Sequence, residues 1–454
     1  MSRASRLRAA GLLSAWLLFA AFAMLGVPAV PFHPDESTYL YMSRDFDLLF
    51  RQRDAAAVTW QAAQQPAPVI AYRLLDGPLA HYLPGAGRLI TGYRQPLPVD
   101  WDWSASWAAN LAAGALPAAG LLNAARWPAA ALTALSLLPL YGIGVRLGGT
   151  ATGLAAAALY GLSGLVLLHG RRGMAEGPLL FFSLATIWLA LYWPRWPIVI
   201  GAAAALAVAA KLTALLLLPV VVLVLLWRPG ARGAARPGWR SQLQAVGLWG
   251  VSFAGFSWLL TPPLWAQPIA GLAAMLAARR QLLANQAGGL ALAGPGQVLG
   301  TIPERLFAML YHVYFAPPAF WDISNYAAQT RAAELAYLAV PLQAGWHTTS
   351  LATNLVAGGL VLALSMAGVA LAALALVRRP SAHDARQVTL IVLAVWSLSA
   401  VVGLLSINID WQRYYLPLIP IVCLWAAYGL VSVAAIFVFG PLAARQARVA
   451  PERE

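Results

Sequence analysis

Apolar residues run along most of this 454-residue chain, broken by short polar clusters. A run of about twenty apolar residues has the length of a membrane-crossing helix. The pattern predicts ten spans: Leu12–Val30, Trp127–Val145, Ala151–Leu168, Pro178–Tyr192, Ile198–Ala210, Leu212–Trp227, Leu243–Leu260, Leu351–Val377, Val388–Ile407 and Tyr415–Phe439. The fifth and sixth are short and meet at Lys211. Small residues within these runs suit close helix packing in lipid. Two long segments, Pro31–Arg126 and Thr261–Ser350, mix prolines, tryptophans and tyrosines with short apolar stretches such as Ala108–Leu122. They predict helices lying on the membrane surface, with no separate folded domain. The clusters "WDWSASW" and "YHVYFAPPAFWDISNY" read as an interfacial aromatic belt, with sugar stacking as the alternative.

Composition agrees. The chain is 61% hydrophobic and 10% charged, with a mean hydropathy of +0.69. A soluble domain carries about 25% charged residues. The fold class is therefore all-α integral membrane, with about ten transmembrane helices. One transmembrane domain covers residues 1–440, followed by a cytoplasmic tail over 441–454. The one cysteine, Cys423, excludes an internal disulfide. No CxxC, HExxH or Walker-type loop is present, so ATP drive and a structural zinc site lack support.

The net charge of +14 falls between apolar runs, which points to a membrane and away from nucleic acid. Arg3, Arg6 and Arg8, then Arg228, Arg232, Arg236 and Arg240, then Arg378, Arg379 and Arg386, and finally Arg445, Arg448 and Arg453 fall on one side of the predicted spans. That side is read as cytoplasmic, with both termini inside and the segments 31–126 and 261–350 outside. The first stretch has the basic start of a signal peptide. Its long apolar run and missing A-x-A site favour an uncleaved anchor.

Polar features gather on the outer side: Asp35-Glu36, Arg126, "HGRRGMAEGPLLFF" with Arg171, Arg172 and Glu176, Lys211, and "DWQRYYLP" with Arg413 and Tyr414. Each belongs to a different helix junction, so a bundle would bring them around one cavity. A carboxylate can accept a proton from a hydroxyl. Arginine and lysine can hold a phosphate. A phosphate leaving group needs no proton when cations stabilise its charge. These parts suffice to move a group from a lipid phosphate to a hydroxyl. Each part also has a plainer reading. Asp35-Glu36 can cap a loop helix through Ser37 and Thr38. Arg171-Arg172 can contact lipid headgroups. Glu176 can complement a helix dipole, and Lys211 can be a topology signal. The outer histidines His33, His81, His169, His312 and His347 are scattered and argue against a metal cluster.

The same residues resemble the polyprenyl-phosphate-sugar-dependent glycosyltransferases of the membrane C-type superfold, such as protein O-mannosyltransferases and aminoarabinose transferases. The resemblance rests on "HPDESTYLYM", "RGMAEGPLLFF", "AAKLTALLLLP", "RYYLPLIP" and "AARWPAAALTALSLLPLYGIGVRLGG". It covers most of residues 1–240 plus Asp410–Trp425, and Thr261–Ser350 matches nothing in it. It departs from the pattern at Glu176, where aspartate is common. The resemblance implies a catalytic pair, Asp35 and Glu36. It implies that Arg126, Arg172, Glu176, Lys211, Arg413 and Tyr414 bind sugar, acceptor or lipid phosphate. It further implies inverting transfer from a polyprenyl-phosphate sugar to a lipid, glycan or protein acceptor on the outer face of the cell membrane. A divalent ion, Mg²⁺ or Mn²⁺, is an optional companion of the carboxylates. The alternative is a transporter or flippase of a lipid-linked sugar, which needs polar residues deep in the spans. The spans are nearly free of them. Sugar, acceptor, metal dependence and oligomeric state are open at this level.

Overall fold

The computed structural model describes residues 3–62, 68–227, 238–322, 326–340, 342–347, 350–378 and 384–449. The described chain is helical throughout, with two isolated bridges and no strand among the described residues. Among the described residues, six helical stretches are long and apolar enough to cross a membrane: Ala10–Ala29, Ala119–Gly148, Trp239–Leu260, Ala352–Arg378, Ala385–Leu405 and Gln412–Phe437. Three shorter apolar helices, Glu176–Tyr192, Pro197–Ala210 and Leu212–Leu226, pack among them. The chain is thus a multi-pass, all-helical membrane protein. Among the described residues the six long stretches account for part of the ten expected spans, and the three shorter helices coincide with the expected fourth, fifth and sixth.

The differences have identifiable causes. The expected third span is cut at Leu162 and Ser163, where Trp346 donates its backbone N–H to the Leu162 carbonyl from the second outer segment. The second span starts at Ala119 instead of Trp127, so Arg126 lies inside the helix Ala119–Leu135 and not at its outer end. The apolar stretch Ala108–Leu122 is divided between a short helix, Trp107–Ala112, and the start of that span. The last helix, Ile419–Val449, carries the expected tail onward as helix. The topology residues Arg228, Arg232, Arg236, Arg379 and Arg453 lie outside the described residues.

The core is built from the small-residue faces expected for lipid. Gly429 and Gly368 let the helices Ile419–Val449 and Leu351–Arg378 touch backbone to backbone; a Cβ on Gly429 would lie 2.0 Å from the Leu364 carbonyl.

The outer segments do not form the expected belt. Trp101, Trp107, Tyr326 and Phe32 pack on one another, with Trp101 5.3 Å from Tyr326 and 5.2 Å from Trp107, both edge to face. The aromatics of the two segments therefore form a shared core that holds one segment against the other. Aromatic edges and faces attract, and the exposed alternative leaves large apolar area in water. A backbone pairing of Leu299 with Asn408 and of Asp410 with Gln297 ties the second segment to the chain leading into the last helix.

Candidate active site

A cavity of about 1090 Å³ opens beneath the two outer segments. Its polar lining includes Asp35, Asp76, Lys211, Arg279, Asp322 and Arg413. Leucines such as Leu212, Leu215 and Leu282 supply an apolar wall, and Tyr414 and Trp411 close one side.

Asp35 opens the helix Pro34–Met42. His33 caps that helix: its Nδ1 accepts the Asp35 backbone N–H at 3.2 Å, and its own N–H donates to Glu36 Oε2 at 3.1 Å. The plain reading of the acidic pair as a helix cap holds for Glu36, with His33 in place of Ser37 and Thr38. Proline at the first helical position suits this start, because its missing N–H would be unpaired anyway.

Neighbours in sequence, the two acids face different surroundings. Asp35 lines the cavity, and Arg413 Nη1 donates to its Oδ2 at 2.5 Å. Glu36 is 1% exposed and absent from the cavity wall. It receives Arg126 in a two-pronged pair, Nε to Oε1 at 2.7 Å and Nη2 to Oε2 at 2.6 Å, plus the Gly173 N–H at 2.9 Å. Arg126 spends its remaining N–H groups on the Val27, Val30 and Pro31 carbonyls. Burial raises the Glu36 carboxyl, but the charges of Arg126 and Arg172 outweigh it and hold the group below the usual carboxylate range. Glu36 and Arg126 thus form a buried strut beneath the cavity, joining the first loop helix to the second span.

Arg172 is also buried and off the cavity wall; Nη2 donates to the Phe320 carbonyl at 2.7 Å. Its neighbour Arg171 donates to the Phe22 and Ala23 carbonyls and to Gln343. Neither arginine faces lipid headgroups. Together they lash the first helix and the second outer segment to the turn before Glu176.

Glu176 is 2% exposed and accepts Lys211 Nζ at 2.8 Å. Lys211 stands where the helix Pro197–Ala210 stops and the backbone turns extended, before the 3-10 turn Leu212–Leu217. Gly77 seats the first outer segment on that helix end: a Cβ there would lie 2.3 Å from the Ala209 carbonyl, so no other residue fits. The Lys211 ammonium also lies 5.2 Å from the Tyr414 ring centre.

Arg413 joins two carboxylates, with Nη2 donating to Asp322 Oδ2 at 2.6 Å. Burial raises the Asp322 carboxyl, yet Arg413 and His33 draw it below the usual range. Asp322 sits in "WDIS", a stretch whose only sequence signal was one acid among aromatics. Its role emerges from the loop packing that delivers it. Asp76 and Arg279 were missed in the same way. The acid of "DWQRYYLP", Asp410, instead pairs with His312 at 2.9 Å and with Tyr415 at 3.0 Å.

Among the described residues, His33, Asp35 and Asp322 bring potential metal ligands within 4.8 Å of one another. Two carboxylates and an imidazole are a plausible donor set for a divalent ion. Here, however, Arg413 already holds Oδ2 of both carboxylates, and His33 Nδ1 is used by the helix cap. Oδ1 of each carboxylate has no hydrogen bond among the described residues and is open to an ion. Asp35 and Asp322 would hold such an ion, and no chemistry is routed through it.

Comparison with known proteins supports this architecture. Residues 118–258 match the dolichyl-phosphate-mannose-protein mannosyltransferase family. No curated protein matches the chain in sequence. The fold is similar to that of the archaeal oligosaccharyltransferase AglB from Archaeoglobus fulgidus, solved with an inhibitory peptide and a dolichol-phosphate. The TM-score is 0.51 at 14% identity, over 97% of this chain and 52% of that one. The apo form of the A. fulgidus oligosaccharyltransferase gives a TM-score of 0.51 at 14% identity, over 96% and 52%. The chain therefore spans about half the length of these enzymes. At this identity the likeness is one of fold. The family match over residues 118–258 and the likeness of fold agree with the resemblance that the motifs carry.

Proposed function

We propose that the protein transfers a sugar from a polyprenyl-phosphate donor to a hydroxyl, or other nucleophile, of a lipid, glycan or protein acceptor on the outer face of the cell membrane, with both termini in the cytoplasm. One observation carries the reading: Asp35 and Arg413, 378 positions apart in the chain, meet in the wall of a single large cavity. Arg413 holds Oδ2 of Asp35, and Oδ1 has no partner among the described residues. Asp35 is the general base. As the acceptor oxygen bonds to the anomeric carbon, its proton passes to Asp35. The bond from that carbon to the phosphate oxygen breaks, and its electrons leave on polyprenyl phosphate. Direct displacement inverts the anomeric centre.

Lys211, Arg413 and Tyr414 bind the donor's phosphate end, and Glu176 orients Lys211. Glu36, Arg126 and Arg172 position the site from outside the cavity. The developing phosphate charge gains more from these cations in the transition state than in the ground state.

The test is an assay of the purified full chain with labelled polyprenyl-phosphate sugars and membrane extract as acceptor. The expected result is release of polyprenyl phosphate with label in a new product. Movement of intact lipid-linked sugar across a vesicle membrane, without bond cleavage, would establish the transporter instead.

A further inference from the structure

The helix Pro268–Ala293 contributes one wall of the cavity. Residues three and four apart share a helix face. Arg279, Leu283, Gln286 and Leu290 follow that spacing and line the cavity. Toward the helix start the same face continues through Leu276, Leu272 and Ile269, exposed by 46%, 52% and 88%. Arg279 therefore stands where the charged groups of the cavity give way to an open apolar stripe.

The cations of the cavity are not equivalent. Lys211 is engaged by Glu176, and Arg413 by Asp35 and Asp322. Arg279 has no hydrogen bond or ion pair with any described residue. A guanidinium that lines the cavity without a carboxylate of its own is open to a ligand anion. Further in, Gln286 Oε1 is buried without a hydrogen-bond partner.

We infer that Arg279 docks the phosphate of a prenyl-type lipid, that Leu276, Leu272 and Ile269 carry the first units of its chain, and that Gln286 receives a hydroxyl of the attached sugar. The inference rests on the proposed donor and deepens it. Along this helix face the order is apolar stripe, cation, amide acceptor. In a polyprenyl-phosphate sugar the order is chain, phosphate, sugar. The guanidinium fork matches phosphate oxygens in two-pronged fashion. A free phosphate would use the cation and gain nothing from the stripe. A polyprenol would use the stripe and leave the cation unpaired.

The experiment measures binding to the full chain in detergent, by tryptophan fluorescence, of four probes: a long-chain polyprenyl phosphate, a short-chain prenyl phosphate, the long-chain alcohol and inorganic phosphate. Wild type is expected to bind the long-chain phosphate most tightly. Arg279→Gln should weaken both lipid phosphates roughly 10- to 100-fold, the loss of a charged hydrogen bond, and leave the alcohol unchanged. Arg279→Lys should recover part of the loss. The double substitution L272S/L276S should erase the long-chain advantage and spare the short-chain probe. Unaltered lipid-phosphate binding by Arg279→Gln would overturn the inference. So would inorganic phosphate binding as tightly as the lipid. Should wild type bind none of the lipid phosphates, the donor reading itself falls. Should wild type bind and turn over the donor, with Arg279→Gln at an unchanged KM, only the assignment of Arg279 falls.

Discussion

Asp35 and Glu36 differ by one methylene and one position, yet their substitutions should fail in different assays. Asp35→Asn keeps the shape and loses the base, so transfer should drop about 10²–10⁴-fold. Expression and melting temperature should hold, because Asp35 is partly open to the cavity. Near-normal turnover would remove Asp35 as the base. Glu36→Gln instead strands Arg126 in a dry setting. Breaking one side of a buried ion pair costs about 3–5 kcal/mol, so thermal unfolding in detergent should show a large loss of stability. An unchanged melting temperature would return Glu36 to the chemistry. Lys211 carries both effects at once. Lys211→Met leaves Glu176 charged and buried, which harms folding as well as catalysis. The double substitution K211M/E176Q should restore stability and not the single-turnover rate. Full recovery of rate would make Lys211 a structural partner only. The motif residues were legible in the sequence because each interrupts an apolar run. Their division into cavity wall and buried strut was not, since adjacent residues of a helix point about 100° apart and only the surroundings tell which side is open.

Short elements of the outer segments carry the scaffold's electrostatics. His81, in the helix Leu79–Ile90, sits between Asp45 at 3.4 Å and Asp76 at 3.7 Å, with Arg73 on the far side of Asp45. Burial lowers its pKa, but the two carboxylates outweigh that and lift it to about 9. A raised folded-state pKa means that the stabilisation is whole below the unfolded value near 6.5. It is lost as pH rises through about 9. Hydrogen-exchange protection of residues 68–90, taken relative to the free-peptide rate at each pH, should therefore fall between those limits, and His81→Gln should flatten the dependence. Protection that does not change with pH in the wild type would refute the charged histidine. The helix starts at Pro34 and Glu176 could be anticipated from local signals, proline and acid in the first turn. The aromatic clusters could not be assigned this way. A tryptophan in a membrane-surface loop has the same composition whether it meets lipid or another tryptophan. The docking of Trp101 on Tyr326 depends on a partner 225 positions away.

At the scale of the whole molecule, orientation is the open proposal with the simplest check. Cys423 is the one cysteine and is fully buried, so introduced cysteines can be read against a quiet background. Cysteines at Ala55 and Gly288 should react with an impermeant reagent from outside intact cells. Reaction only after permeabilisation would invert the topology and place the cavity on the cytoplasmic side. The sequence by itself determined the solvent: long apolar runs with few charges admit only helices in a bilayer, because every backbone group must be satisfied within its own segment. It also determined which polar residues were anomalous, and through their order the resemblance to a family. Helix breaks came out differently, since Leu162–Ser163 is interrupted by a bond from the second outer segment, which no window of local hydropathy contains. Only the tertiary structure decided which cation meets which acid. Arg413 bridges Asp35 and Asp322, Arg126 takes Glu36, and Arg279 is left without a hydrogen bond or ion pair among the described residues. Hydropathy is a property of each residue and survives in one dimension. Charge pairing falls off over a few ångströms of space, so it exists only once the loops have folded over the helix ends.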